Sequence, residues 1–202
     1  MSGGHTHLYR SGGWTRLELI QKTRDDAAGE AFDKTARLLD LGYPGGPIVD
    51  ACARQAQGRA PAFTPPRFRD GKASWSFSGL KTAVKLRVQE DPSLAAGGTG
   101  DPRVQALCAS VQDAIAQWLL KPVAAAAEAT GAKSLILSGG VACNSTLREE
   151  AARLAERLGL VLAIPPPALC TDNGAMVAAA GAVLDPAEDL LPLNAEADLK
   201  LA

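Results

Sequence analysis

The chain has 202 residues, 47% of them hydrophobic, with 21 Lys and Arg against 22 Asp and Glu and a formal net charge of −1. That length buries one good core, as one large domain or part of a larger architecture, and the balanced charge excludes a global basic field for nucleic acid. No apolar run reaches the roughly 18 residues that span a bilayer, and four dispersed cysteines without a secretory signal indicate reduced thiols, no membrane partner and a cytoplasmic location.

The opening Ser2-Gly3-Gly4-His5-Thr6 is odd at a chain start, because a Ser-Gly-Gly turn normally follows a strand and almost nothing precedes it here. Ser11-Gly12-Gly13 predicts a hairpin turn between Leu8-Tyr9 and the alternation Trp14, Leu17, Leu19. From Asp25 the period becomes helical, with Ala27, Ala31, Phe32, Leu38 and Leu39 on one stripe, Thr23 as N-cap, Asp25 and Asp26 in the first turn and Gly42 at the C-cap. Tyr43-Pro44-Gly45-Gly46-Pro47 predicts a turn feeding a helix from Ile48 to about Ala56.

Residues 58–72 are broken by proline and glycine and read as a surface excursion. Trp75–Thr82 leads into a helix through Val88, and Ala95–Gly100 is a flexible loop. A long helix then starts near Asp101-Pro102, with Leu107, Val111, Ile115, Trp118 and Leu119 on one face, and Pro122 is placed to kink or split it. Strand Leu135–Leu137, helix Thr146–Leu158, strand Val161–Ile164 and helix Asn173–Val183 complete an α/β alternation. After Asp185 the tail is acidic and punctuated by proline.

Chemistry concentrates in Ser138-Gly139-Gly140-Val141-Ala142-Cys143-Asn144, a strand running through a glycine turn into a helix, a geometry that aims backbone N–H groups at an anion. Cys170-Thr171-Asp172-Asn173-Gly174 adds a carboxylate where a strand would end. The P-loop Gly-x-x-x-x-Gly-Lys-Ser/Thr, the zinc-protease His-Glu-x-x-His and the hydrolase Gly-x-Ser-x-Gly are all absent. Asp33 follows Phe32 on the amphipathic helix and faces either a site or solvent. Gly45-Gly46 serves a turn or a ligand, and Asn144 caps a helix or touches one. His5 and His7, two apart on a strand, share a face and could join Asp172 around a metal, or stand exposed. The basic cluster Arg67–Lys85 meets RNA phosphates or is a solvated loop.

Six motifs in order carry a resemblance over nearly the whole chain up to about Val183. They are Ser2–Thr6, Asp25-Asp26-Ala27-Ala28-Gly29-Glu30-Ala31-Phe32-Asp33-Lys34, Tyr43–Pro47, Ser76-Phe77-Ser78-Gly79-Leu80-Lys81-Thr82, Ser138–Val141 with Asn144 and Leu147, and Cys170–Met176. Together they closely resemble the bacterial tRNA N6-adenosine threonylcarbamoyltransferase family, once called O-sialoglycoprotein endopeptidase. Proteolysis finds no support in these residues.

The resemblance implies an α/β chain with the actin, Hsp70 and sugar-kinase (ribonuclease H-like) two-lobed ATPase fold. It corresponds to the second lobe, with the first lobe missing: residues 1–185 are the C-terminal lobe, with a mostly helical insertion around 47–130, and 186–202 are a tail. It implies that Ser2, Gly3 and Gly4 form a phosphate-facing turn, that Asp33, Gly46 and Asn144 contact the substrate adenylate and ribose, and that Asp172 is a ligand of one divalent metal, iron ahead of zinc. The implied reaction moves threonylcarbamoyl from threonylcarbamoyl-adenylate to N6 of the adenosine beside the anticodon of tRNAs reading ANN codons. A dimerising paralogous subunit and a P-loop ATPase subunit are the implied protein partners.

The family's His-x-x-x-His pair has no counterpart, since the only histidines are His5 and His7. One carboxylate falls short of the about three protein ligands a catalytic metal needs, so the metal site reads as incomplete. The chain therefore reads as a fragment, or a gene model begun at an internal Met, that is inactive and poorly soluble alone. A non-catalytic module docking onto a related subunit is the alternative, and a sugar kinase or Hsp70-like ATPase would share the fold but differ in its phosphate motif.

Overall fold

The computed structural model describes residues 1, 4–14, 16–68 and 74–184. The Ser-Gly-Gly turn folds β1 (His7–Ser11) onto β2 (Leu17–Lys22) as an antiparallel hairpin with a bulge between Leu8 and Tyr9. The second sheet is parallel, β3 (Ser134–Ile136) beside β4 (Val161–Ala163), joined through a helix as parallel strands require. Each sheet has two strands, and among the described residues nothing pairs one sheet with the other.

Among the described residues seven α-helices fill the rest: α1 (Ala28–Leu38), α2 (Gly45–Arg54), α3 (Ser78–Glu90), α4 (Ser93–Ala96), α5 (Pro102–Thr130), α6 (Ser145–Leu158) and α7 (Gly174–Gly181). Helix α5 is the spine. Asp101 caps it by accepting from Arg103 N–H at 2.8 Å, and Gly131 ends it in the left-handed conformation. Its 29 residues run on through Pro122, so of the kink or split expected there the split does not occur. Val104, Leu107, Val111, Ile115 and Leu119 are buried against Phe32 of α1, Val49 and Cys52 of α2 and Leu147 and Ala151 of α6, in one apolar core. No helix of the described residues is long and apolar enough to cross a membrane.

Several local expectations change for long-range reasons. Thr23 does not cap α1; its hydroxyl donates to the Asp26 carbonyl at 2.8 Å, and Ala27 occupies the N-cap. The helix ends at a Leu39 C-cap, so Gly42, with φ +102, serves the following turn instead. Gly45 and Gly46 belong to the first turn of α2, behind a cis Tyr43-Pro44 bond. Part of the anticipated 95–100 loop is the one-turn helix α4. The 58–68 segment is fastened to α5: Ala60 N–H donates to the Ala106 carbonyl, Ser110 Oγ to the Ala60 carbonyl, and Arg59 pairs with Asp113.

Candidate functional site

Helix α2 links three of the six substrate-contact candidates, Asp33, Gly46 and Asn144. Asp33, on α1, accepts from the Gly45 N–H at 2.8 Å and so caps α2 from another element. This works only because position 45 lacks a side chain: a Cβ there would lie 2.6 Å from Asp33 Cα and from the Phe32 carbonyl oxygen. Around Gly46 a Cβ would meet nothing within 4 Å, so the neighbouring glycine opens onto free space. Four residues on, along the same helix face, Asp50 reaches the start of α6.

There Asp50 Oδ1 accepts from the Ser145 N–H at 3.0 Å and from Ser145 Oγ. Asn144, only 7% exposed, caps α6 by accepting from the Leu147 N–H at 2.9 Å. Its amide donates to Gln112 Oε1 at 2.7 Å and to Asp50 Oδ1 at 3.4 Å. Asn144 thus ties α6 to α2 and α5, and α2 joins the Asp33–Gly46 corner to the Asn144 corner.

The glycine turn differs from its expected form. Gly139 stands at φ +89, and four N–H groups of the turn and the α6 start are engaged within the chain: Val141 donates to Met1, Ala142 to Gly139, Ser145 to Asp50 and Leu147 to Asn144. A carboxylate at the α6 N-terminus takes the place an external anion would occupy. Met1 lies against this turn, its ammonium donating to the Ser138 carbonyl at 2.8 Å. Burial lowers the pKa of that ammonium, against an opposing effect of Cys170.

Arg148 on α6 braces this turn against the Cys170–Gly174 motif, donating to the carbonyls of Ala142 and Pro165, both at 2.6 Å, with Cys170 Sγ 3.7 Å away. The thiols of Cys143 and Cys170 adjoin here. Burial and the Cys170 neighbour raise the Cys143 pKa, while Arg148 lowers it. Asp172 is exposed and does not end a strand: β4 stops at Ala163, and a 3₁₀ turn (Pro167–Leu169) intervenes. Asn173 beside it caps α7, accepting from the Met176 N–H at 2.9 Å.

His5 and His7 have ring centroids 5.4 Å apart, and His7 Nδ1 shares a 3.0 Å hydrogen bond with Tyr9 Oη. Among the described residues no three His, Cys, Asp or Glu side chains come together to hold a metal, so the option of His5 and His7 joining Asp172 is not realised there. By themselves the residues present do not fit a complete metal site. Gly4 is exposed; Ser2 and Gly3 lie outside the described residues. Arg67, Lys81 and Lys85 are exposed, while Arg69 and Lys72 of the basic cluster lie outside the description.

Sequence reasoning missed Asp25, Asp50, Gln112 and Arg148. Asp25 accepts from Ser76 Oγ at 2.5 Å, Phe77 N–H at 2.8 Å and Ser78 Oγ at 2.7 Å, joining two motifs fifty residues apart and capping α3. Burial raises its pKa, but the Ser76 and Ser78 hydroxyls and the Phe77 and Ser78 N–H groups outweigh that and lower it overall. The one local signal was that Ser76–Ser78 opens a helix whose own N-cap, Phe77, has no capping side chain.

Short sheets flanked by helices, with glycine turns and foreign carboxylates at the helix starts, make this an α/β chain. The model of the family described as TsaD, tRNA N6-adenosine threonylcarbamoyltransferase, matches residues 1–179, and the chain belongs to that family. It is 48% identical over 181 residues to the tRNA N6-adenosine threonylcarbamoyltransferase of Trichlorobacter lovleyi, covering 90% of this chain and 52% of the relative. Proteins of the same name from Geobacter sp. (strain M21) and Symbiobacterium thermophilum are each 49% identical over 181 residues, covering 90% of this chain and 52% and 51% of theirs. The chain spans about half the length of the curated relatives it matches.

Proposed function

We propose that this chain forms one wall of the cleft in which threonylcarbamoyl passes from threonylcarbamoyl-adenylate to N6 of the adenosine beside the anticodon of tRNAs reading ANN codons. One observation supports the reading: Asp33, Gly46 and Asn144, drawn from three separate motifs, are tied to one helix, α2, through Gly45 and Asp50. The open space at Gly46 receives the adenosine, Asp33 accepts a ribose hydroxyl, and Asn144 holds α6 against α2 so that the wall keeps its shape. The N6 nitrogen bonds to the carbamoyl carbon, the bond from that carbon to the adenylate oxygen breaks, and the N6 proton leaves to solvent with adenylate released. This is acyl-type transfer, to which these residues contribute positioning.

The rest of the proposal follows the family. The chain is one lobe of a two-lobed ATPase-like fold, and Asp172 is one ligand of a divalent metal, iron ahead of zinc, whose other protein ligands lie outside this chain. It works with a dimerising paralogue and a P-loop ATPase in the cytoplasm. A docking module is favoured by a different observation: α7 has no buried residue, and Met176, Val177, Val183 and Leu184 around it are exposed.

Calorimetric titration with a sulfamate analogue of the adenylate tests the reading. Saturable binding is expected, lost in Gly46→Trp, which fills the open space, with the thermal midpoint unchanged. Absent binding, or equal binding by the folded Gly46→Trp protein, refutes it and leaves the docking module.

A further inference from the structure

The four cysteines, dispersed in sequence, meet in the fold as two pairs, Cys52 with Cys108 and Cys143 with Cys170, and all four are free thiols. The pairs differ in access. Cys52 of α2 and Cys108 of α5 are 1% and 0% exposed, and burial raises both thiol pKa values, so this pair is shielded from a dissolved oxidant. Cys170 is 5% exposed, but Cys143 beside it is only partly covered.

The second pair sits where two separate stretches of chain are drawn together. Cys143 closes the 3₁₀ turn Gly140–Cys143 that leads into α6, and Cys170 caps the 3₁₀ turn Pro167–Leu169 on the way to α7. The Cys143 thiol donates to the Pro167 carbonyl at 3.9 Å and the Cys170 thiol to the Pro165 carbonyl at 3.4 Å, so both sulfurs lean on one proline run. Arg148 holds the same pieces in place, through the Ala142 and Pro165 carbonyls and Cys170 Sγ.

We propose that Cys143 and Cys170 are a site of reversible oxidation, at which hydrogen peroxide converts the two thiols into a disulfide that fastens the start of α6 to the approach to α7. Cys143, the accessible member, reacts first: its sulfur bonds to one peroxide oxygen, the O–O bond breaks, and a sulfenic acid forms with release of water. The Cys170 sulfur then attacks the Cys143 sulfur; the S–O bond breaks, the S–S bond forms, and the hydroxyl leaves as a second water with the Cys170 proton. The two thiols lose two electrons and the peroxide gains them. Burial and the Cys170 neighbour raise the Cys143 pKa against the lowering effect of Arg148, so the attack is slow and the pair rests as thiols until peroxide is in excess. The inference concerns this pair and does not depend on what Asp33, Gly46 and Asn144 bind.

The test is peptide mapping by mass spectrometry on the full chain, treated with hydrogen peroxide and digested without reduction. The cross-linked Cys143–Cys170 peptide should exceed every other cysteine pairing by about tenfold or more, because only thiols already adjacent can be bridged without moving the backbone. Dithiothreitol should remove it, and Cys52 and Cys108 should remain thiols. Closing the loop from 143 to 170 should raise the thermal midpoint of the oxidised chain by about 5 °C or more. In Cys170→Ser the Cys143 sulfenic acid should persist and be captured by dimedone; should that variant fail to fold by circular dichroism, Cys170→Ala replaces it. A mixture of pairings, a Cys52–Cys108 bond in place of the expected one, no cross-link, or a cross-link that resists dithiothreitol overturns the proposal. So does a midpoint that the bond leaves unchanged or lowers, or dimedone capture as great in the unsubstituted chain as in the Cys170 variant. Cross-linking that joins two chains and rises with protein concentration also overturns it, because the partner thiol would then belong to a second copy.

Discussion

Replacing Asp25 with alanine removes the acceptor shared by Ser76, Phe77 and Ser78 and leaves the start of α3 uncapped. The two hydroxyls belong to side chains that water can reach, so their loss costs little. The Phe77 N–H cannot be compensated so readily, because Phe77 is fully buried and holds its backbone in place. A charged acceptor lost from such a donor costs about 1.5 kcal/mol, and the charge lost from the helix terminus about 0.5 kcal/mol more, for about 2 kcal/mol in all. At this chain length that lowers the thermal midpoint by about 4–8 °C. The pH dependence follows from the sign of the Asp25 shift: the folded pKa is depressed, so its contribution is complete above the unfolded value near ~3.9 and fades as pH falls through the lower folded value. Thermal melts of both proteins at pH 7 and pH 3 measure this, with the deficit of Asp25→Ala large at pH 7 and reduced at pH 3. Equal midpoints at pH 7, or a deficit that does not change with pH, would refute the reasoning.

Gly45→Ala forces a Cβ into the α1 backbone and should cost about 2 kcal/mol or more, read as a lowered urea midpoint; an unchanged midpoint would mean that α1 and α2 separate easily. Asn144→Ala removes the α6 cap and leaves Gln112 and Asp50 without its amide, for about 2–3 kcal/mol by the same assay. Loss of stability under 0.5 kcal/mol would free Asn144 from its structural role. The His7 imidazole should titrate below the ordinary histidine value, because burial and then the charges of His5, Lys22 and the N-terminus disfavour its protonation. Proton NMR titration checks this, and a value at or above ~6.5 would contradict it.

Elements whose signals are local were legible in the sequence. Ser11-Gly12-Gly13 between alternating apolar residues gave away the hairpin, Asp101-Pro102 marked the start of α5, and Asn144 read as a cap at the start of α6. The site was only half legible, because its geometry depends on pairings far apart in sequence. Asp25 and Asp26 look like first-turn acids of α1, yet Asp25 serves a helix fifty residues on. Asp50 and Gln112 carry no motif of their own; only the packing of α2 and α5 against α6 brings them to Asn144. The Ser138–Asn144 turn looks built for an anion until Asp50, on a different helix, is seen capping α6. Asp172 was misplaced although Pro165-Pro166-Pro167 marks a break directly after β4, well before Asp172.

The most direct test of the account is a chimera in which residues 1–179 of this chain replace the matching half of the Trichlorobacter lovleyi relative. Transfer to tRNA is then read by nucleoside mass spectrometry with the partner subunits present. The account predicts threonylcarbamoyl-adenosine from the chimera and its loss in the Asp33→Ala, Gly46→Trp chimera. A folded chimera that makes no modified nucleoside, or a double variant that makes as much as its parent, would contradict it.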